Sequence, residues 1–235
     1  RPRFALAGPA AGGLPATGSV GTYGVIQSAP AYMLGAIARG PFAFEDFGHC
    51  MEGVVLAAAG LSPGTCWLGG VFDRGAAARA LNATPDEVIP AMSPVGHPKD
   101  RRGLVDSVIR ASAASSSRKP WDRLFFSESF DTPLEEGADP WSTVLECVRH
   151  GPSASNKQPW RVVRTDEGGS PRFHLFLFED KTFNHLLGSV RLQNIDMGIA
   201  MRHFEAAARA LGLPGSWRRL ESDPIAGKPP LIYTA

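Results

Sequence analysis

The chain has 235 residues, 43% of them apolar, and a formal net charge of +1 at pH 7. This length is enough for one large domain or two small ones with a real core. The near-neutral charge gives no electrostatic case for a nucleic-acid or membrane partner. No run of about 18 apolar residues is present, so no membrane-spanning helix is expected.

Cysteine and histidine patterns bear on metals and on the cellular compartment. Cys50, Cys66 and Cys147 are an odd, widely spaced set without a CxxC pair, and the six histidines form no HExxH pattern. Because metal sites need closely spaced ligands, we expect no metal, free thiols and a cytoplasmic location. The chain begins at Arg1 and not at a methionine, so we expect that further residues precede Arg1. Residues 1–20 have no signal-peptide layout.

Apolar spacing predicts the elements of the first half. Residues 31–37 form a short apolar run that indicates a buried strand, and apolar residues recur with helical spacing over residues 47–61. Residues 88–95 are typical of a strand, but Pro90 and Pro94 predict an edge position or a bend. Residues 99–138 are polar and are expected to be an extended connection with one helix over 104–110.

Cap and turn residues mark the second half. Asp139 followed by Pro140 predicts a helix start, and Gly151 followed by Pro152 predicts its end. Strands are predicted over residues 160–164 and 173–178, joined by a turn at residues 167–170 that contains two glycines.

Two helices resemble each other at a separation of 150 positions. The apolar pattern of residues 47–61 recurs over residues 197–211. The same shift superposes identical residues at several places: Asp46 on Asp196, Gly48 on Gly198, Met51 on Met201, Ala57 on Ala207 and Trp67 on Trp217. Any two amphipathic helices share a pattern, but shared Asp, Gly, Met and Trp identities favour an internal duplication.

The segment Pro152–Trp160 reads PSASNKQPW and lies between a predicted helix and a predicted strand. Its small hydroxyl residues and two carboxamides suit a stiff loop that grips a flat, polar, anionic ligand. The alternative, an ordinary connector, is about equally compatible with the composition.

Two further segments are candidates. Residues 61–70, LSPGTCWLGG, place glycines where a backbone could approach a ligand closely; the alternative is a helix cap and turn. Arg118 and Lys119 could bind a phosphate; the alternative is a solvated basic pair. No P-loop, GxGxxG or GxSxG motif is present, so nucleotide hydrolysis and serine hydrolysis have no support.

Together these segments resemble the FMN-dependent nitroreductase superfamily. The Pro-Ser…Asn-x-Gln-Pro-Trp string resembles the family's flavin-contacting loop, and residues 64–69 resemble the turn against the isoalloxazine ring. Residues 93–98 with 118–120 are similar to its late strand and phosphate-binding cations. The resemblance implies FMN as cofactor. The implied cofactor-binding residues are Trp67, Leu68, Gly69, Gly70, Arg118, Lys119, Pro152, Ser153, Ala154, Ser155, Asn156 and Gln158; no catalytic residue and no metal ligand are assigned.

The order of these segments is unusual, because features found late in a family subunit precede features found early. The chain therefore resembles the single-chain branch typified by a thermophilic bacterial member, in which one chain mimics the usual homodimer. This implies an α+β nitroreductase-like fold with mixed or antiparallel sheets flanked by helices, and an internal duplication that forms a pseudo-dimer. The expected halves are residues 1–135, with an incomplete N-terminus, and residues 136–235. The chain is expected to be monomeric.

The implied function is an FMN-dependent oxidoreductase. It would take hydride from NAD(P)H and reduce an electron-poor acceptor such as a nitroaromatic or a quinone. The first half has no second flavin-contacting loop, and the counterpart of the turn, residues 215–219, lacks the glycines that follow Trp67, so one FMN per chain is expected. The family's N-terminal Arg-Arg-Ser-x-Arg string is missing from residues 1–20. Two alternatives are a non-catalytic flavin-binding or storage protein and a degenerate scaffold without flavin.

Overall fold

The computed structural model describes residues 1–8, 29–70, 72–97, 117–180, 190–220, 225 and the backbone of 231–234. The predicted helix over 104–110 lies outside these residues. The described residues contain four α-helices: α1 (Ala43–Gly60), α2 (Arg74–Leu81), α3 (Pro140–His150) and α4 (Leu192–Ala210). None of these helices combines the length and the apolar character that crossing a membrane demands.

The first sheet is antiparallel and contains β1 (Arg3–Ala7), β2 (Ala31–Ala38), β3 (Gly64–Thr65), β4 (Glu87–Val88) and β5 (Met92–Gly96). Its order is β1-β2-β5-β3, and β4 pairs with β2. Alternate residues of β2 face opposite sides, as a strand requires. Tyr32 and Leu34 pack on the α2 side, whereas Met33 and Ile37 pack on the α1 side. The buried strand predicted over residues 31–37 is therefore confirmed.

The proline-containing run over residues 88–95 is bent rather than placed at an edge. It divides into β4 and β5, and β5 pairs with β2 on one side and with β3 on the other. The expectation of an edge position is wrong, because β5 lies inside the sheet. The alternative, a bend, is correct, since Pro90 falls in the break between the two strands.

The second sheet contains β6 (Phe125–Ser127), β7 (Trp160–Glu167), β8 (Ser170–Leu177) and β9 (Leu231–Thr234) in that order. Strand β6 runs parallel to β7, and the other pairs are antiparallel. Strand β6 corrects the expectation of a plain connection over residues 99–138. Leu124 and Phe125 are fully buried in the core beside β7, so burial of this short apolar segment adds a strand to the sheet.

Local signals of the second half are confirmed. Asp139 caps α3 by accepting a hydrogen bond of 2.9 Å from the Ser142 N–H, and Pro140 occupies the first turn. Strands β7 and β8 form a hairpin whose turn contains Gly168 and Gly169, both with positive φ. Glycine adopts this backbone region without a steric penalty.

Helices α1 and α4 pack against each other between the two sheets. A side chain added at Gly48 would collide with the Ile195 carbonyl, and one added at Gly198 would collide with the Glu45 carbonyl. The two helices therefore approach closely enough for each glycine to touch the other main chain. Helix α1 also covers the first sheet, and α4 packs with α3 on the second.

Candidate functional site

The loop after α3 has a strained backbone. Ser155, Asn156 and Gln158 all have φ between 46° and 53°, in the left-handed region that non-glycine residues rarely adopt. Hydrogen bonds hold this shape: the Gln158 N–H donates to Ser153 Oγ at 2.9 Å, and Gln158 Nε2 donates to Asn156 Oδ1 at 3.0 Å. Such strain persists only where the surroundings fix it, and it concentrates at functional sites.

A buried carboxyl group anchors the loop to α4. Asp196, in the second turn of α4, accepts a hydrogen bond of 2.9 Å at Oδ1 from the Ala154 N–H. The side chain is 2% exposed, and Oδ2 has no hydrogen-bond partner among the described residues. Burial raises the pKa of Asp196 to about 8, although the bond from Ala154 acts in the opposite direction.

The turn at Trp67–Gly70 is fixed from three sides. Trp67 Nε1 donates to Glu52 Oε2 at 2.8 Å, and Glu52 Oε1 lies 2.8 Å from His203 Nε2 of α4. The Leu68 N–H and carbonyl exchange hydrogen bonds with Met92 of β5. These bonds tie the turn to both the first sheet and the two central helices.

Gly69 lies against the start of α4. A side-chain carbon added there would come within 2.6 Å of Leu192 Cδ2. A larger residue at this position would have to displace the end of the Leu192 side chain.

The turn and the loop meet on one apolar cluster at the start of α4. This cluster contains Val190, Leu192, Ile195 and Ile199, and both Trp67 and Ala154 pack on it. Segments that are 87 residues apart in sequence, counted from Trp67 to Ala154, are thus brought together. The sequence places the two segments in different halves of the chain, and the structure joins them through α4.

Arg118 and Lys119 also lie beside the loop, but they point to different partners. Arg118 donates to the His150 carbonyl at 3.1 Å, at the end of α3. Lys119 donates through its N–H to Gln158 Oε1 at 2.8 Å and through Nζ to the Lys157 carbonyl at 2.7 Å. Both cations therefore already bond to protein carbonyls, which the sequence did not predict. Burial lowers the pKa of Lys119 to about 8, assisted by the nearby charges of Arg161 and Lys157.

The sequence-based site omitted the residues that support it. The repeat at a shift of 150 positions pointed to Asp196, whereas no sequence pattern pointed to Leu192 or Glu52. A carboxylate in an apolar helix is one available signal, since Asp196 precedes Met197 on a buried face. No sequence pattern pairs Glu52 with Trp67, because their contact depends on how the turn folds back onto α1.

The family is shown by a comparison with protein-family models. A family model described as "Putative TM nitroreductase" matches residues 16–208. A comparison with curated protein sequences gives no match. Among solved structures, a "putative nitroreductase" from Thermotoga maritima superposes with a TM-score of 0.54 at 21% identity, covering 87% of this chain and 70% of that one. At this identity the likeness shows the fold alone.

A nitroreductase family protein from Clostridium novyi NT has 19% identity and a TM-score of 0.34, and the match covers 45% of this chain and 66% of that chain. This TM-score is too low to support an argument about the fold. The family match, by contrast, spans most of the chain and includes the turn, the loop and Asp196. The chain therefore belongs to the nitroreductase superfamily, and its general role is that of an oxidoreductase.

Proposed function

We propose that this protein is an FMN-dependent NAD(P)H oxidoreductase that reduces an electron-poor acceptor such as a nitroaromatic or a quinone. The observation that carries the proposal is the meeting of the turn Trp67–Gly70 and the loop Pro152–Asn156 on the first turns of α4. Bound FMN would supply the redox chemistry, taking hydride from NAD(P)H and then reducing the acceptor. A cytoplasmic location would provide the nicotinamide.

The residues at this junction fit a planar polar cofactor. Gly69 lets the turn lie close to the Leu192 side chain. Ser155 and Asn156, with left-handed backbone conformations, give the loop a fixed, non-helical shape. A preformed site of this kind lowers the conformational cost of binding. Pro152 stiffens the entry to the loop, because its φ is restricted.

Backbone and side-chain groups of the turn and the loop are assigned to the flavin ring and its ribityl chain. The Leu68 N–H is bonded to Met92, so we assign the N–H groups of Gly69 and Gly70, not that of Leu68, to the flavin ring. Ser153 Oγ accepts from Gln158, and its own hydroxyl proton can still bond the cofactor. We assign Asn156 to the ribityl chain or ring edge.

The phosphate is assigned to the positive charge of Arg118 and Lys119. Both side chains donate to carbonyls, and an ionised phosphate forms stronger hydrogen bonds than a neutral carbonyl. Gln158 helps to place Lys119 by accepting from its N–H. A solvent proton suffices for acceptor reduction, so no general acid is named.

We further propose that the chain is a pseudo-dimer with one flavin site. The reciprocal contacts of Gly48 with Ile195 and of Gly198 with Glu45 support this arrangement, since each pair maps onto the other by a shift of 150 positions. The division at residue 135 remains a proposal. Burial of Leu124 and Phe125 with the second sheet favours an earlier boundary, before residue 117.

The decisive experiment is anaerobic stopped-flow mixing of the FMN-reconstituted protein with NADPH and, separately, NADH. We expect the visible flavin absorbance to bleach with at least one of them, because the nicotinamide would reduce the flavin. Flavin that is retained but not bleached by either nicotinamide would select the storage protein. A protein that cannot be reconstituted with FMN would select the scaffold.

A matched pair of variants connects the result to the site. Gly69→Val should weaken FMN binding at least tenfold, because its side chain fills the space against Leu192. Gly60→Val is the control, since nothing lies within 4 Å of a side-chain carbon added there. Equal flavin affinity in the two variants would remove the turn from the site.

A further inference from the structure

The second sheet has a face that turns away from α3 and α4. Trp160 and Val162 of β7 pack with those helices, whereas Val163 and Phe176 belong to a separate cluster with Phe126. Strand alternation places Arg161 on the same side as Val163, directly opposite Phe176 in the β7–β8 register. Neither Arg161 nor Phe176 has a part in the proposed flavin site.

A cavity of about 480 Å³ opens on this face. Its volume lies within the range of small-molecule sites, roughly 300–1,000 Å³. Cations and aromatic rings dominate the lining, which consists of Lys119, Asp122, Arg123, Phe126, Phe130, Arg161 and Phe178.

The cavity gathers positive charge without a matching carboxylate. Lys119, Arg123 and Arg161 line it, and Asp122 is the one acidic residue among the described lining residues. Within the part of the chain that the structure describes, neither Lys119 nor Arg161 forms an ion pair. Burial and the charge of Arg123 lower the pKa of Arg161 to about 10. Because burial and mutual repulsion both disfavour these positive charges, an anionic ligand would stabilise them.

The same cations keep donors available. Arg161 uses one terminal nitrogen to donate to the carbonyls of Trp160 and Gln158, at 2.6 and 3.2 Å. A guanidinium has five N–H donors, so further donors remain on this side chain. Lys119 bonds the carbonyls of Lys157 and Gln158 and has a third ammonium proton.

Aromatic rings form the other wall. Phe126 and Phe130 contact each other edge to face at 5.5 Å between centroids. Phe178 is 57% exposed, and the Arg161 guanidinium carbon lies 4.9 Å from its ring centroid. A large apolar side chain exposed beside a cavity favours a ligand with an apolar body.

We propose that this cavity binds a small aromatic carboxylate, with the carboxylate on Arg161 and the ring among Phe126, Phe130 and Phe178. Arginine forms matching pairs of hydrogen bonds with carboxylates. Asp122 lies on the same lining and disfavours a dianion such as phosphate. The site depends on Arg161 and on the aromatic wall, neither of which belongs to the proposed flavin site. Lys119 is the one lining residue that is also assigned to FMN, through the phosphate.

Titration calorimetry with four probes tests the ligand class. Benzoate carries both ring and carboxylate, acetate the carboxylate alone, benzyl alcohol the ring alone, and inorganic phosphate a dianion. We expect saturable benzoate binding at least tenfold tighter than binding of each of the other three. Absence of saturable benzoate binding, or phosphate binding equal to it, would overturn the proposal.

Variants place the binding in this cavity. Arg161→Gln should weaken benzoate at least tenfold, and Arg123→Gln, at an exposed position, about threefold. Phe178→Ala should weaken benzoate while leaving acetate unchanged. Arg172→Gln is the control, since Arg172 lies on β8, is 50% exposed and pairs with Glu167. An unchanged benzoate affinity in both Arg123→Gln and Phe178→Ala would exclude this cavity even if Arg161→Gln failed to fold.

A final arm separates this site from the flavin site. Because the FMN phosphate is assigned to Lys119 on the cavity lining, saturating FMN should weaken benzoate binding less than tenfold and should not abolish it. Full competition between the two would place the flavin in the cavity and overturn a separate carboxylate site. If FMN does not bind at all, the benzoate titration still stands on its own, so failure of the two proposals can be distinguished.

Discussion

Gly48 of α1 and Gly198 of α4 each lie against the main chain of the other helix. A side chain on Gly48 would meet the carbonyl of Ile195, and one on Gly198 would meet that of Glu45. The partner of each glycine is thus three residues before the other glycine. Reciprocity of this kind is what a two-fold axis produces between identical subunits, and it supports the proposed pseudo-dimer.

The first prediction concerns this helix crossing. Gly48→Ala and Gly198→Ala should each lower the free energy of unfolding by about 1–3 kcal/mol, because the added methyl group collides with rigid backbone. Urea denaturation measures the change. Gly60→Ala, at the end of α1 and without neighbours within 4 Å, should change it little. If Gly48→Ala and Gly198→Ala changed the free energy of unfolding as little as Gly60→Ala does, the close packing of α1 on α4 would be contradicted.

The second prediction concerns the pH dependence of stability. The pKa of Asp196 is about 8 in the folded protein, against 3.8 as its ordinary value. Between these values the unfolded chain releases the proton and the folded protein keeps it. The contribution of Asp196 is therefore fully present below about pH 4 and is lost as the pH rises toward 8, with a slope of at most about 1.4 kcal/mol per pH unit.

Asp196→Asn isolates this effect. Asparagine cannot ionise and its carbonyl can still accept from the Ala154 N–H, so the variant should gain stability relative to the wild type as the pH rises from 4 to 8. Asp46→Asn is the matched control, since Asp46 is the exposed repeat counterpart of Asp196. Parallel stability curves for wild type and Asp196→Asn would contradict the assigned pKa.

The third prediction concerns stoichiometry. If one chain mimics a dimer with one intact site, the reconstituted protein should be a monomer that holds one FMN. Multi-angle light scattering gives the mass, and flavin absorbance against protein concentration gives the ratio. Two FMN per chain would show that the Trp217–Arg219 region, whose Arg219 guanidinium lies 3.8 Å from the Phe42 ring centroid, also forms a flavin site.

The fourth prediction concerns the start of α3. Asp139→Ala removes both the cap on the Ser142 N–H and the bond of 2.6 Å from Arg164, so we expect a loss of about 1–2 kcal/mol. Asp139→Ser keeps a capping oxygen and loses only the charge pair, so its loss should be smaller by about 1 kcal/mol. Thermal unfolding of the three proteins checks the order.

Much of the local structure followed from the sequence. The helical period over residues 47–61 became α1, and the cap at Asp139 with Gly151 set the bounds of α3. The two glycines between β7 and β8 gave the hairpin turn. Strand β6 was not predicted, because three residues carry no readable period and its position depends on pairing with β7.

The candidate site likewise has a part that the sequence predicted and a part that it did not. Its residue types were readable in advance, since the strings around Trp67 and Ser153 carry the family resemblance on their own. The support beneath them was not, because the bond from Ala154 to Asp196 and the contact of Gly69 with Leu192 join distant segments. The pKa of Asp196 likewise depends on burial, which no sequence pattern measures.

The sequence by itself determined most of the longer elements and the family, because hydrophobic period, caps and motif strings are local properties of the chain. Only the tertiary structure decided which segments meet. Packing of α1 on α4 brings the turn of one half onto the helix that anchors the loop of the other. The tertiary structure also places Arg161 and Phe178 on the lining of a cavity that no sequence motif predicted. Such contacts depend on the summed packing of many distant residues, which local patterns do not specify.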